Sequence, residues 1–374
     1  MIWILLVAFA TAALTTIAVI ASAHRHAHWS ADHDLSGPQK MHVEAVPRVG
    51  GLGVFAGVVG GAVALAVQFP AMRAGAGLFL CCLLPAFCSG LWEDFTKAVS
   101  PRRRLFAVAL SALLGVLLLD ATIVRTGWVW IDHWIAGHGL MAVGGIGAVF
   151  AVSGIGNSIN IIDGMNGLAS MCVALMMTAL TYIAFQVGDM FVASLALATL
   201  GASLGFFMWN YPRGLVFLGD GGAYMLGFVV AELGVLLTVR NPSVSMLTPL
   251  MLAAYPIFET LFSMYRRKVL RGRPMMTPDG IHLHTLIYRR LMRWAIGSHD
   301  AAALTRRNSR TSPYLWVLSS VTIVPATIWW DNSLALALTM FAFVALYLRV
   351  YWRIVTFRTP SWMRYRRDRI REHA

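Results

Sequence analysis

Charge is what this sequence most lacks. Asp, Glu, Lys and Arg together make up 13% of its 374 residues, whereas hydrophobic residues make up 58%. Such a composition excludes a soluble globular domain, in which charged residues make up roughly 25%. It indicates membrane-spanning helices instead, so the predicted fold class is all-α, a polytopic transmembrane helical bundle.

Cysteine and acidic residues are also scarce. The four cysteines lie in apolar segments without the spacing of a disulfide framework or a zinc site, so they are interpreted as small buried hydrophobes. Only 17 acidic residues stand against 30 Lys and Arg, which gives a net charge of +13. In a membrane protein this excess usually reflects basic cytoplasmic loops, so we expect contact with membrane lipid and no nucleic-acid partner.

Apolar segments of membrane-spanning length are frequent. They predict about eleven helices, near residues 1–23, 50–69, 75–92, 105–124, 138–158, 166–187, 190–209, 216–239, 245–265, 313–330 and 334–355. All but three of the 30 Lys and Arg residues fall on one side of such a bundle, the exceptions being Arg73, Arg125 and Arg240. By the positive-inside rule that side is cytoplasmic, which places the N-terminus outside and the C-terminus inside.

No separate soluble domain is predicted. Residues 1–374 are interpreted as one integral membrane domain, and residues 1–23 as a first transmembrane helix, because they lack the basic start of a cleaved signal. The longest polar connection, 266–312, is expected to be a cytoplasmic loop, and 356–374 a basic cytoplasmic tail that anchors at the membrane surface.

Residues 157–169, NSINIIDGMNGLA, place four polar side chains between two apolar segments. Spacings of three put Asn157, Asn160, Asp163 and Asn166 roughly on one helical face. A bilayer penalises such a stripe unless it lines a polar cavity or lies at a membrane face. A hydrogen-bonded seam between helices is the alternative interpretation.

Acidic residues stand at several predicted helix ends on the cytoplasmic side. Glu93 and Asp94 close one span, and Asp163 and Asp220 open two others. Converging carboxylates suit magnesium, which takes one or two of them and completes its shell with water and substrate phosphate. A solvated helix-end residue is the alternative for each acid taken singly.

A glycine-rich turn precedes the span near 216–239. Its sequence, FLGDGG at 217–222, could cradle a phosphate on bare backbone amides at a helix N-terminus, although tight helix packing would also favour these glycines. Just upstream, Asn210 could hydrogen-bond a base or sugar and Arg213 could meet a phosphate, unless Arg213 is only a positive-inside anchor.

Basic side chains and histidines complete the cytoplasmic clusters. His282 and His284 suit phosphate or nucleotide contact, while metal binding and plain solvation remain alternatives. The basic side chains of the first two cytoplasmic loops would bind a phosphorylated lipid headgroup, or anchor the chain at the lipid surface: Lys40, His42, Arg48, Lys97, Arg102 and Arg104.

Five polar clusters, at 37–51, 91–105, 157–169, 209–227 and 278–290, resemble one family in this order. NxxNxxDGxxGLA, FLGDGGAYMLG and PDGxHLH at the proper spans are similar to the polyprenyl-phosphate N-acetylhexosamine-1-phosphate transferases, over residues 40 to about 290. That family includes the phospho-MurNAc-pentapeptide translocase of peptidoglycan synthesis. The closing PDGIHLHTLIYRR looks more like the GlcNAc branch than the peptidoglycan branch, which carries three consecutive histidines.

The resemblance implies a phosphotransferase of the bacterial inner membrane. Undecaprenyl phosphate would attack the β-phosphate of a UDP-N-acetylhexosamine and release UMP, as the first membrane step of a cell-surface polysaccharide such as O-antigen. Family members use Mg²⁺, and Mn²⁺ is a substitute to consider. The active site would face the cytoplasm, and a homodimer is left open.

The resemblance also implies a role for each matched residue. Asp220 would bind the metal with Asp163 nearby, Asp94 with Glu93 would orient the attacking lipid phosphate, and Lys97 would hold that phosphate. The expected substrate-binding residues are Asn157, Asn160, Asn166, Asn210, Arg213, His282, His284, Lys40, His42, Arg48, Lys97 and Arg102.

Two positions depart from the family pattern. Family members often carry two aspartates where this chain has Glu93–Asp94, and a second acid where it has Asn166. These departures motivate one rival hypothesis, a catalytically inactive scaffold for polysaccharide assembly. A secondary transporter is the other rival, although transporters keep their binding site near the midplane.

Overall fold

A computed structural model describes residues 1–25, 46–127, 131–133, 141–272, 280–292, 296 and 301–356. Within these ranges all regular elements are helical, so the predicted all-α class is confirmed. Lys40, His42 and the tail from residue 357 onward lie outside the described residues, as does part of the 266–312 loop.

The principal helices account for every apolar segment of the sequence. In chain order they are α1 Ile2–Ala21, α2 Gly51–Gln68, α3 Arg73–Thr96, α4 Pro101–Leu118, α5 Met141–Ile162, α6 Leu168–Gln186, α7 Met190–Asn210, α8 Gly219–Arg240, α9 Leu247–Leu252, α10 Ala254–Tyr265, α11 Leu283–Leu286, α12 Ala301–Ile328 and α13 Ser333–Val355. Short π-helical turns follow α10 and α11, at Arg266–Leu270 and Ile287–Met292.

Several of these helices are long and apolar enough to cross a membrane. In the described part of the chain eight satisfy both conditions, namely α1, α2, α3 with the turn before it, α5, α6, α7, α8 and α13. The multi-pass architecture is therefore confirmed. The figure of eleven spans stays a prediction, because α4 and α12 are helical without satisfying both conditions and 245–265 is divided between α9 and α10 at Ala253.

Local sequence explains where some helices begin. The Ser100 hydroxyl accepts a hydrogen bond from the Arg103 amide, and Pro101 stands at the first helical position of α4, where its missing N–H costs nothing. Asp189 caps α7 by accepting from the Val192 amide at 3.1 Å. A side-chain acceptor at these positions satisfies amides that no helical carbonyl can reach.

The centre of the bundle is α8, whose residues from Gly219 to Thr238 are all buried. It packs against α2, α3 and α5 and also contacts α4, α6 and α7. A helix surrounded in this way has no lipid-facing side. Its first turn therefore lies at the middle of one end of the bundle, and the candidate site is built around that turn.

Small residues let α1, α2 and α7 approach closely. A Cβ added at Gly61 of α2 would overlap the Cβ of Ala198 on α7 and would lie 3.1 Å from the Cβ of Ala8 on α1. Gly57, one turn earlier, would meet Ala12 and Ala202 at 2.7 Å. Within a bilayer such close backbone packing drives helix association, because lipid is as apolar as the side chains.

We predict that Gly61→Val destabilises the bundle by about 1–3 kcal/mol, the usual cost of overpacking. Thermal unfolding of the purified protein in detergent measures this. Gly77→Val is the matched control, because Gly77 is exposed on a helix and an added Cβ would meet nothing within 4 Å. Equal melting temperatures for the two variants would refute the packing assigned to Gly61.

Candidate active site

A pocket of about 380 Å³ opens at the end of the bundle where α3, α5 and α7 end and α8 begins. Each of the five polar clusters in the sequence contributes to it, so the predicted convergence of scattered helix ends is confirmed. The polar lining consists of Arg48, Glu93, Arg104, Asn160, Asp163, Asn166, Asn210, Asp220, His282, His284 and Asn308.

Asp94 of α3 holds the first turn of α8. Its Oδ1 accepts a hydrogen bond from the Asp220 amide at 2.8 Å, and its Oδ2 accepts from the Gly221 amide at 2.9 Å. Only 1% of Asp94 is exposed, so these amides replace the water that the carboxylate has lost. A carboxylate at this place also complements the positive end of the helix dipole.

The approach of α3 to α8 depends on glycine. A Cβ at Gly90 of α3 would lie 2.5 Å from the Asp220 carbonyl and the Gly221 amide. Gly219 has φ +74°, a left-handed conformation that side chains disfavour, and a Cβ there would collide with the Arg48 carbonyl. The glycines of FLGDGG thus allow tight helix packing, which was the alternative interpretation of that motif. The same packing directs the Asp220 side chain into the pocket.

Asp220 lies between two guanidinium groups. Arg104 forms an ion pair with its Oδ2, and Arg48 Nη2 lies 3.7 Å from its Oδ1. The Oδ1 also accepts a hydrogen bond from Asn160 Nδ2 at 3.0 Å. Arg48 is 4.0 Å from Asp94 as well, so one arginine is shared by the carboxylate in the pocket and the carboxylate behind it. The pocket therefore contains positively and negatively charged side chains in contact with each other.

Asp163 lies in the turn between α5 and α6 and lines the same pocket. Burial raises the pKa of the Asp163 carboxyl from 3.8 to about 7, and the positive charge of Arg48 opposes that rise. A carboxylate that has lost this much solvation is stabilised in its charged form by a nearby cation.

Two carboxylates in one pocket could take part in holding a divalent cation. Among the described residues, no group of three or more His, Cys, Asp or Glu side chains is arranged to hold a metal. Asp163 and Asp220 nevertheless fit magnesium, which uses one or two carboxylates and fills its remaining positions with water and substrate phosphate. Such a site would be completed by the substrate.

Asn166 and Asn210 hold the loops that frame the pocket. Asn210 Oδ1 accepts from the Gly167 amide at 2.5 Å, and its Nδ2 donates to the Val216 carbonyl at 2.7 Å. Asn166 Nδ2 donates to the Pro212 carbonyl at 3.1 Å. Both residues are buried, so in this structure their amides bind the protein's own backbone. Asn166 therefore supplies no charge where the family often has an acid.

His282 and His284 reach the pocket from the turn that starts α11. Their rings are stacked with centroids 5.3 Å apart and an interplanar angle of 4°. His282 Nδ1 lies 2.9 Å from Glu259 Oε1, on α10. His284 lies against the Asp163 turn, because a Cβ at Gly164 would be 3.0 Å from its Nε2. The structure thus brings the histidines and the acidic turn together.

Some predicted residues lie elsewhere. Asp94 is behind the pocket wall, and Asn157 is one turn deeper in α5 than Asn160. Lys97, Arg102 and Arg213 are exposed near the same end of the bundle and do not line the cavity. Their predicted contacts with substrate, like the roles assigned to the lining residues, stay predictions.

Three residues at or behind the pocket were not among the predicted site residues. Arg104 was interpreted only as a lipid-binding residue, although it pairs with Asp220. Asn308 of α12 accepts a hydrogen bond from the Asn166 amide at 2.7 Å, and no motif in the polar segment around Asn308 predicted this contact. Glu259 carried a usable signal, since an acid inside the apolar segment 245–265 is a functional-site hypothesis by default.

Fold and pocket together define a polytopic membrane protein with a charged pocket at one end of its helices. Residues 76–238 match the model of glycosyl transferase family 4. The chain is 26% identical over 90% of both chains to a probable undecaprenyl-phosphate N-acetylglucosaminyl 1-phosphate transferase of Bacillus subtilis.

Two further relatives agree with this match. The identity is 27% to an undecaprenyl-phosphate alpha-N-acetylglucosaminyl 1-phosphate transferase of Yersinia pestis, over 85% of this chain and 84% of that one. It is 28% to a phospho-N-acetylmuramoyl-pentapeptide-transferase of Streptococcus thermophilus, over 67% and 76%. These matches confirm the resemblance that the motifs indicate: most of the chain is similar to membrane sugar-phosphate transferases, and residues 76–238 are similar to glycosyl transferase family 4.

We predict that Asp94→Asn lowers thermal stability, because the amide N–H₂ of asparagine would face one of the two α8 amides that Asp94 now accepts from. Losing one such charged hydrogen bond costs about 1.5–3 kcal/mol. Glu93→Gln is the matched control, because Glu93 lines the pocket and its Oε2 accepts only the Val99 amide in the described contacts. An Asp94→Asn variant as stable as wild type would contradict the capping role.

Proposed function

We propose that this protein transfers a sugar-1-phosphate from a UDP-sugar to undecaprenyl phosphate and releases UMP. The sugar is an N-acetylhexosamine, most simply of the GlcNAc type that the Bacillus and Yersinia relatives are named for. The observation that carries the proposal is a single pocket holding Asp163 and Asp220 together with Arg48, Arg104 and His282. Such a pocket suits two phosphate-bearing substrates.

The reaction joins two anions. An oxygen of the lipid phosphate attacks the β-phosphorus of the UDP-sugar, and the bond from that phosphorus to the UMP oxygen breaks. One diphosphate linkage forms as another is lost, so no oxidant or further reactant is needed. Phosphoryl transfer of this kind depends on positioning and on charge neutralisation, and Arg48 and Arg104 are placed to provide both.

Magnesium is the proposed cofactor, with Asp220 and Asp163 as its protein ligands. When bound, it would neutralise charge on the phosphate oxygens of the substrates. Burial raises the pKa of Asp163, and a bound cation would oppose that rise by favouring the carboxylate over the neutral acid. Arg48 and Arg104 would keep Asp220 paired before a metal and substrate arrive.

The remaining polar residues are assigned by position. Glu93 lines the pocket and is proposed to orient the lipid phosphate, whereas Asp94 supports the α8 turn and acts on the reaction through it. Lys97 and Arg102, exposed beside the pocket, are proposed to attract the lipid headgroup. His282 is proposed to contact the nucleotide sugar.

The reaction is proposed to occur at the cytoplasmic face of the inner membrane, as the first membrane step of a cell-surface polysaccharide. The lysine and arginine distribution supports this orientation, because the pocket lies on the side that carries almost all of the basic residues. A lipid substrate also explains why the pocket opens at the end of the helices, where a headgroup would lie.

We expect purified protein, given undecaprenyl phosphate and magnesium, to release UMP from a UDP-N-acetylhexosamine and to form a lipid-linked sugar diphosphate. A panel of UDP-sugars, with the lipid product identified by mass spectrometry, makes this measurement. Removing magnesium with EDTA should stop the reaction, and adding it back should restore it. No product from any donor would favour the inactive scaffold instead.

We predict that Asp220→Asn and Asp163→Asn each lower the transfer rate by about 100- to 1000-fold, the usual effect of removing one electrostatic contributor. Asp132→Asn is the matched control, because Asp132 accepts hydrogen bonds from Thr126 and Gly127 and does not line the pocket. Wild-type UMP release by Asp220→Asn would show that the metal assignment is wrong.

A further inference from the structure

A second buried carboxylate lies behind the histidines. Glu259 of α10 is 0% exposed, and three groups from two other parts of the chain converge on it. His282 Nδ1 lies 2.9 Å from its Oε1, the Leu283 amide donates to the same oxygen at 3.1 Å, and the Tyr347 hydroxyl donates to Oε2 at 2.6 Å. Tyr347 belongs to α13, near the end of the described chain.

The hydrogen bonds to Glu259 determine which ring nitrogen of His282 faces the pocket as the free one. A fully buried carboxylate is tolerated only when its oxygens are satisfied by donors, and both oxygens of Glu259 are. An ionised carboxylate can only accept, so Nδ1 of His282, 2.9 Å from Oε1, carries a hydrogen and donates a hydrogen bond to Glu259. Nε2, on the other side of the ring, is then the nitrogen that can meet a ligand, because His282 lines the pocket.

A ring protonated on both nitrogens would suit a diphosphate ligand in the pocket. An imidazolium pairs with the carboxylate through Nδ1 and offers a second N–H at Nε2. Its charge and its donor would both suit a diphosphate, since hydrogen bonds between charged groups are about twice as strong as neutral ones. A neutral ring held in the same orientation would offer only a lone pair, which a phosphate oxygen cannot use.

We propose that Glu259 and Tyr347 are positioning residues that hold His282 with Nε2 directed at the diphosphate of the nucleotide-sugar donor. The inference rests on the proposed function and deepens it, because it separates a donor-binding part of the pocket from the acidic part at Asp163 and Asp220. Glu259 touches neither substrate and acts only through His282.

The test is a double-mutant cycle on donor binding, measured with radiolabelled UDP-GlcNAc and the purified full-length chain. Glu259→Gln keeps the shape and removes the charge, and it should weaken binding by about 10- to 100-fold, as loss of a residue that orients a histidine typically does. Tyr347→Phe should weaken it less, and Glu259→Asp should restore part of the loss.

The cycle is completed by His282→Asn. If Glu259 acts through His282, adding Glu259→Gln to His282→Asn should produce no further loss, because residues that work as one unit are not additive. An equal loss in both backgrounds would overturn the proposal and assign Glu259 a purely structural role. KM for undecaprenyl phosphate should not change in Glu259→Gln, since the lipid phosphate is proposed to bind at Glu93, Lys97 and Arg102.

Glu232→Gln is the matched control. Glu232 lies in α8, is 1% exposed, and neither of its oxygens has a hydrogen-bond partner among the described residues. Neutralising it should leave donor binding unchanged, which separates the effect at Glu259 from that of removing any buried carboxylate. If wild type neither binds nor transfers UDP-GlcNAc or any other UDP-sugar, the proposed function fails. If wild type binds and Glu259→Gln binds equally well, only the positioning role fails.

Discussion

A helix whose first turn is buried must find acceptors for its first amides, and α8 finds them in one side chain. Asp94, in the last turn of α3, accepts hydrogen bonds from the backbone amides of both Asp220 and Gly221. The buried carboxylate has lost its hydration, and two hydrogen bonds from amides and the positive end of the helix dipole stabilise its charge instead. Because this contact fixes the backbone of Asp220, the direction of the Asp220 side chain depends on it.

The rest of the pocket can be understood as charge compensation around that fixed point. Asp220 is paired by Arg104 and approached by Arg48, and Asn160 donates to the same carboxylate. Asp163 is the less compensated acid, because among the described residues it has no ion pair like those of Asp220, and burial raises its pKa. A pocket in which one acid is paired with arginines and the other is not is suited to charged ligands. A cation bound together with two phosphates would match these charges.

The two parts of the proposed site differ in how they are built. The acidic part comes from Glu93, Asp163 and Asp220, all within the residues 76–238 that match the family model. The histidine part lies outside that match and is assembled from α10, the start of α11 and α13. Glu259 and Tyr347 thereby connect the last described helix to the pocket.

Much about this protein follows from the sequence alone. Hydropathy identified all the apolar helices, because a bilayer demands long helical segments, and the basic residues gave a predicted orientation. The helix-end acids and histidines were identified as candidates, because polar groups are costly in lipid and their positions are therefore informative. Only the tertiary structure showed that Asp94 caps α8, that Arg104 pairs with Asp220, and that Glu259 holds His282. Those contacts join residues that are 23 to 127 positions apart, and no local pattern specifies which helix ends will meet.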